Sequence, residues 1–128
     1  MSQPISSLMH REVWSVGLDD TIQTVEAMMV ARGLSWVPVV DAANGAVLGV
    51  ISSSDLLRFH ADDKQPSKVH AWQLCTYRPI CVRPQASVGE VAQLMIDSKI
   101  HHVVVTEGID IEGVVSSLDF VRTFLGER

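Results

Sequence analysis

The polar residues most able to do chemistry fall in two matching stretches, "GVISSSDLLRF" at 49–59 and "GVVSSLDFVRT" at 113–123. Each sets a serine three residues before an aspartate and an arginine three residues after it: Ser52, Asp55 and Arg58, then Ser116, Asp119 and Arg122. An apolar run precedes each serine and a second apolar stretch follows each aspartate, so the serine should lie where a strand enters a helix. Such a turn offers free backbone N–H groups and the positive end of a helix dipole, which suits phosphate. An aspartate beside it can accept hydrogen bonds from two vicinal hydroxyls. Phosphate and a diol together describe a nucleotide, with the carboxylate at the sugar and the serine hydroxyl, the amides and a cation at the phosphates. The same residues have a plainer use. Ser-x-x-Asp ahead of an apolar run is also a helix-capping pattern, and an arginine one turn further on can simply line a solvated face. Spacing alone leaves both readings open.

Other site chemistries find little footing. The chain has neither G-x-x-x-x-G-K-[ST] nor G-x-G-x-x-G, so a nucleotide site here is of another type. The serines lack a G-x-S-x-G context and no histidine is marked as their base, so catalysis is not expected and no catalytic residue is assigned. His101 and His102 are adjacent on an expected strand and point to opposite faces, which prevents one metal from using both. A place near a phosphate for one of the two is the better reading than a zinc site. His10, His60 and His70 have no cysteine or carboxylate at ligand spacing, and no metal site is expected. Met28, Met29 and Met95 fall on apolar helix faces and read as core.

The elements that position these residues come in duplicate. A shift of 66 residues aligns Leu8 with Leu74, Val16 with Val82, Val25 with Val91, Met29 with Met95, Val37 with Val103 and Val39 with Val105. After a turn two residues shorter in the second copy, the shift becomes 64 and aligns Gly49 with Gly113 and Asp55 with Asp119. Each copy reads β-α-β-β-α: a strand near 12–16 or 79–83, a helix near 21–32 or 87–98, two strands at 36–41 and 46–52 or 101–106 and 109–116, and a last helix at 54–60 or 117–125. Ser87 and Glu90 make a capping-box pattern ahead of Val88, Val91, Ala92, Leu94 and Met95. Pro38 points to an edge or irregular strand. The polar, Pro-containing stretch within 61–70 is the expected linker between a first repeat at 5–60 and a second at 71–125. Neither repeat of roughly 60 residues would bury enough surface alone, so the expected fold is α+β, two repeats packed about an approximate twofold axis as one module.

Composition sets the outer bounds. With 128 residues and 47% hydrophobic content, but only three Trp, one Tyr and three Phe, the core should be built from aliphatic side chains. Ten basic and fifteen acidic residues leave a net charge of −5 with no basic cluster, which disfavours nucleic acid and anionic membrane as partners. The N-terminus lacks the charged and apolar regions of a signal peptide, and no apolar run approaches membrane-spanning length, so a cytoplasmic protein is expected. Cys75 and Cys81 fit neither a zinc ribbon nor a disulfide framework and are expected to be packed, reduced thiols.

The two halves resemble the repeats of a CBS-domain pair, the regulatory module named after cystathionine β-synthase. The likeness rests on "VPVVD" at 37–41, "HHVVV" at 101–105, "RPICVRPQASVGEV" at 78–91 and the two Gly-to-Asp blocks, taken together with their order along the chain, their spacing and their duplication, over roughly 5–125. It implies a β-α-β-β-α unit, adenosine ligands such as AMP, ADP, ATP or S-adenosylmethionine in clefts between paired repeats, no required cofactor, and a homodimer. By resemblance Asp55 and Asp119 would hold ribose. Ser52 and Ser116 would lie near phosphate, with Arg58, Arg122 and His102 in support. Residues around the first strand, Glu12 and Val13 in one copy and Arg78, Pro79 and Ile80 in the other, would surround adenine. This chain departs from the pattern at Val104, which stands where the first copy has Pro38, and at Trp36, which matches His102. An indole could fill one cleft, which favours the Ser116/Asp119 site if only one binds. The implied function is a stand-alone ligand sensor acting on a protein target encoded elsewhere. The rival is a ligand-free module for dimerisation or protein docking.

Overall fold

Helix starts in this chain are set by polar side chains that close the first turn. The Thr24 N–H donates to Thr21 Oγ1 at 3.2 Å, the Asp55 N–H to Ser52 Oγ at 3.2 Å and the Glu90 N–H to Ser87 Oγ at 3.1 Å, each meeting one of the donors a helix leaves open. The computed structural model describes residues 1–77 and 79–126. After a 3₁₀ turn at Ile5–Ser7 the elements are β1 (Val16–Gly17), α1 (Ile22–Arg32), β2 (Trp36–Val40), β3 (Val47–Ser52), α2 (Ser53–Ala61), α3 (Ala71–Leu74), β4 (Thr76–Tyr77), β5 (Cys81–Val82), α4 (Val88–Ser98), β6 (His102–Glu107), β7 (Asp110–Ser116) and α5 (Ser117–Phe124). The expected α+β class, built twice, is what the chain forms.

Two compact units result. The Ser52 unit spans Trp14–Pro79. Its four-stranded sheet runs β1-β2-β3-β4, with β1 parallel to β2 and the other pairs antiparallel. The Ser116 unit joins Met1–Val13 to the chain from Ile80 onward, around a three-stranded sheet β5-β6-β7 with the same parallel and antiparallel order. Alternating aliphatic residues fill each core: Val25, Met29, Val37, Val39 and Ile51 in the first, and Val91, Met95, Val103, Val105 and Val115 in the second.

The repeat in the sequence and the packed unit differ in membership. Ile5 and Ala71 correspond at the 66-residue shift, and both are fully buried, but Ile5 sits in the core with Val88 and Val91 while Ala71 sits with Ile22 and Val25. Each repeat thus sends its leading segment into the core built mainly from the other. The arriving segment also covers a sheet edge. His10 exchanges both backbone hydrogen bonds with Val114, at 2.9 and 3.0 Å, and Thr76 pairs with Val50 in the matching place.

Two expectations are corrected and one is narrowed. The first strand, expected at 12–16, begins only at Val16, and Pro38, expected in an edge or irregular strand, lies in a central strand whose register shifts between Val39 and Val40, so the irregular form is the one found. These are one fact: the Val104 N–H donates to the Ile80 carbonyl at 3.1 Å, and Pro38, at the equivalent position, has no N–H to extend β1 backwards. Cys81, expected to be packed, is exposed, whereas Cys75 is buried; neither is in a disulfide. Helix α3 and strand β4 lie outside the expected elements: α3 gives Ala71 to a core assembled from distant sequence, while both β4 residues are exposed and pair only through the backbone with β3.

Candidate functional site

Each Ser-x-x-Asp block sits where a central or edge strand passes directly into a helix, with the serine as the last strand residue. In the Ser52 unit the backbone N–H and hydroxyl of Ser52 both donate to Asp55 Oδ2, at 2.8 and 2.9 Å. The hydroxyl also accepts from the Asp55 N–H, so the cap is reciprocal. That leaves Asp55 Oδ1, which receives Arg58 Nη2 at 2.6 Å. Arg58 itself is 69% exposed, while Asp55 is only 14% exposed.

The Ser116 unit repeats the inner half of this arrangement and changes the outer half. The Ser116 N–H and hydroxyl donate to Asp119 Oδ2 at 2.8 and 3.2 Å. Asp119 Oδ1 does not receive Arg122, which is exposed on α5 and forms no ion pair among the described residues. Its partner is His10 Nε2 at 2.7 Å, from the leading segment 109 residues earlier in the chain. Asp119 is 6% exposed and is the one buried charged residue found among the described residues, whereas His10 is 58% exposed.

The expected phosphate-side residues lie close to these turns. Trp36 pairs across the sheet with Ser52, and His102 with Ser116, so the matched indole and imidazole occupy equivalent registers. Burial, with His101 adding to it, pushes the His102 imidazole down to about 4, against the opposite pull of Asp119. At neutral pH His102 can therefore offer a hydrogen bond but no charge. Of the adenine-side expectations, Ile80 is half-buried beside β6, where its carbonyl meets Val104, and Val13 is half-buried at the end of the leading segment. Pro79 is half-buried at the end of the Ser52 unit, Glu12 is exposed, and Arg78 lies outside the described residues.

Sequence spacing missed His10, whose partner Asp119 stands 109 residues further along the chain. His60 was passed over in the same way and forms a hydrogen bond with Glu26. The usable signal was the internal alignment, which places His10 against Thr76 in segments that both run beside a Gly-to-Asp block.

A duplicated β-α-β-β-α unit whose strand-to-helix turns carry a Ser-x-x-Asp cap defines the class. The chain belongs to the CBS domain family, whose model matches residues 5–62 and 71–126. It is 25% identical over 112 residues to YlbB of Bacillus subtilis, a protein of uncharacterized function, covering 88% of this chain and 76% of that one. It spans less than half of two longer curated relatives, 44% of one and 35% of the other. The fold matches CBSX2, solved in complex with AMP, with a TM-score of 0.84 at 21% identity over 97% of both chains. It equally matches the CBS domain pair of MJ0100, solved with 5′-methylthioadenosine and S-adenosyl-L-methionine: TM-score 0.84, 20% identity, 95% of this chain and 99% of that one. Among the described residues no helix is long and apolar enough to cross a membrane.

Proposed function

We infer that the protein is a regulatory sensor of an adenosine-containing ligand, AMP, ADP, ATP or S-adenosylmethionine, rather than an enzyme. In this reading Asp55 and Asp119 take the ribose hydroxyls. Ser52, Ser116, Arg58, Arg122 and His102 face the phosphates or their equivalent, and Val13, Arg78, Pro79 and Ile80 flank adenine. The observation that carries it is the division of labour within each carboxylate. Oδ2 is committed to the cap, while Oδ1 is held only by an exposed side chain, Arg58 or His10, that can move aside for a diol. A ligand can thus engage the aspartate without uncapping the helix. The adenosine compounds bound by CBSX2 and MJ0100 support the same ligand class.

The ligand acts by its differential affinity for alternative arrangements of the module, and passes the signal to a protein target in the cytoplasm. Exposed apolar residues on the helices, Val30 and Leu57 in one unit and Ile96 and Phe124 in the other, support a homodimer. The second reading, a ligand-free interaction module, draws on the same hydrogen bonds: the cap at each Oδ2 is complete without a ligand, and each Oδ1 already has a protein partner.

A thermal-shift panel of AMP, ADP, ATP, S-adenosylmethionine, NAD and guanosine nucleotides decides between them. Ligand at 100 times its Kd adds about 2.7 kcal/mol, a shift of several degrees. A shift confined to adenosine compounds and reduced by Asp55→Ala or Asp119→Ala is expected. No shift with any compound would leave the interaction module standing.

A further inference from the structure

We propose that His10 gates the Asp119 site, its imidazole occupying the carboxylate oxygen that an adenosine ligand needs, so that the two sites of one chain bind unequally. The inference rests on the reading that the ligand's ribose engages these aspartates. In both units Oδ2 is held by the serine cap, which leaves Oδ1 as the oxygen a diol can reach without disturbing the helix start. At Asp55 the occupant of Oδ1 is Arg58, a long side chain from the same helix, and at Asp119 it is His10, a short ring on a segment from the far end of the sequence.

The difference lies in how each occupant can leave. Arg58 can swing its guanidinium aside and still pair with a phosphate, so its displacement is offset by the ligand itself. His10 is fixed at its backbone by two hydrogen bonds to Val114, and its carbonyl lies hard against Gly113, so the ring can leave Oδ1 only by rotating about its own side-chain bonds. It then gives up a hydrogen bond to a buried carboxylate. Such bonds to charged groups are the stronger class, and one of them corresponds to roughly a tenfold factor in apparent affinity. The internal duplicate supplies the contrast, since Thr76 occupies the position of His10 and, among the described residues, Asp55 bonds to Ser52 and Arg58 instead.

Calorimetry isolates the effect in an Asp55→Ala background, which leaves Asp119 as the remaining ribose acceptor. AMP and, separately, S-adenosylmethionine are titrated into this protein and into the same protein carrying His10→Ala or His10→Thr. The second substitution installs the residue that the other repeat uses at this point, and both leave the Gly113 contact with the backbone intact. Roughly tenfold tighter binding in both His10 variants is expected. Unchanged or weaker binding overturns the gate, weaker binding marking His10 as a ligand contact instead. Binding by the parent that vanishes in the Asp55→Ala background, and stays absent with either His10 change, also overturns it. Silence of both compounds with the parent and all variants overturns the ligand reading itself, and is told apart because the parent then gives no heat.

Discussion

A Cβ built on Gly113 would lie 2.8 Å from the carbonyl oxygen of His10 and 2.7 Å from the Met9 sulfur. Gly49 repeats the relation, 2.7 Å from the Thr76 carbonyl oxygen and 3.0 Å from the Cys75 sulfur. The glycine that opens each Gly-to-Asp block is therefore demanded by the crossing segment. It sets the strand backbone, and through it the serine three residues later, against a carbonyl that cannot retreat because it is already bonded to the sheet. Gly113→Ala and Gly49→Ala should each cost about 1–3 kcal/mol, the range for overpacking. Gly17→Ala, where the nearest atom is 3.7 Å away, should stay within about 0.5 kcal/mol. Urea denaturation of the three variants checks this ordering.

The helices before β2 and β6 end in the same left-handed turn, but with different residues. Gly33 has φ 65° and ψ 36°, and Lys99, its counterpart, φ 55° and ψ 44°. A side chain in that region costs about 1 kcal/mol that glycine avoids, partly offset by the greater freedom of glycine in the unfolded chain. Lys99→Gly should raise stability by about 0.5 kcal/mol, and Gly33→Lys should lower it by about 1 kcal/mol. Thermal melts of both variants measure the asymmetry directly.

Caps and ligand contacts separate in a stability series. Ser52→Ala removes a reciprocal cap and should cost about 1 kcal/mol. Asp119→Ala should cost more than Asp55→Ala, about 2 against about 1 kcal/mol, because it strips partners from the Ser116 N–H at a more buried position. Asp119→Asn should recover most of that loss, since an amide oxygen still accepts from Ser116. Equal costs for the two alanine variants would mean that burial at Asp119 carries no weight.

The His102 imidazole is held down to about 4 from an ordinary value of 6.5, chiefly by burial. Between those values the unfolded chain binds the proton and the folded one does not, so stability rises with pH across the window. The contribution is complete above about pH 6.5 and is lost progressively as pH falls towards 4, with solvent access reducing its size. His102→Gln should flatten the fall in Tm between pH 7 and pH 4.5. A fall of the same depth in the variant would assign the acid sensitivity to the carboxylates.

Much of the fold was legible because it rests on local signals. The Val-rich strands, the capped helices at Ile22–Arg32 and Val88–Ser98, and the duplication all follow from periodicity and spacing, which a chain carries within ten residues or so. Pro38 was readable in part for a local reason too: its missing N–H argues for an edge or an irregular strand, and β2 is central, with β1 starting beyond Pro38, but shifts register just after it. The inner half of each candidate site was equally readable, since a serine and an aspartate three residues apart meet in the first turn of one helix. The outer half was readable only at Asp55, where Arg58 is one helical turn away.

What the sequence determined by itself was the pair of β-α-β-β-α repeats and the two Ser-x-x-Asp caps, because hydrogen bonds and hydrophobic faces of that range depend on near neighbours. Tertiary structure alone decided that Ile5 and Ala71 exchange cores, that Gly49 and Gly113 meet foreign carbonyls, and that His10 reaches Asp119. These contacts join residues up to 109 positions apart, and no spacing encodes them. They exist because each repeat, too small to close its own core, is completed by the leading segment of the other.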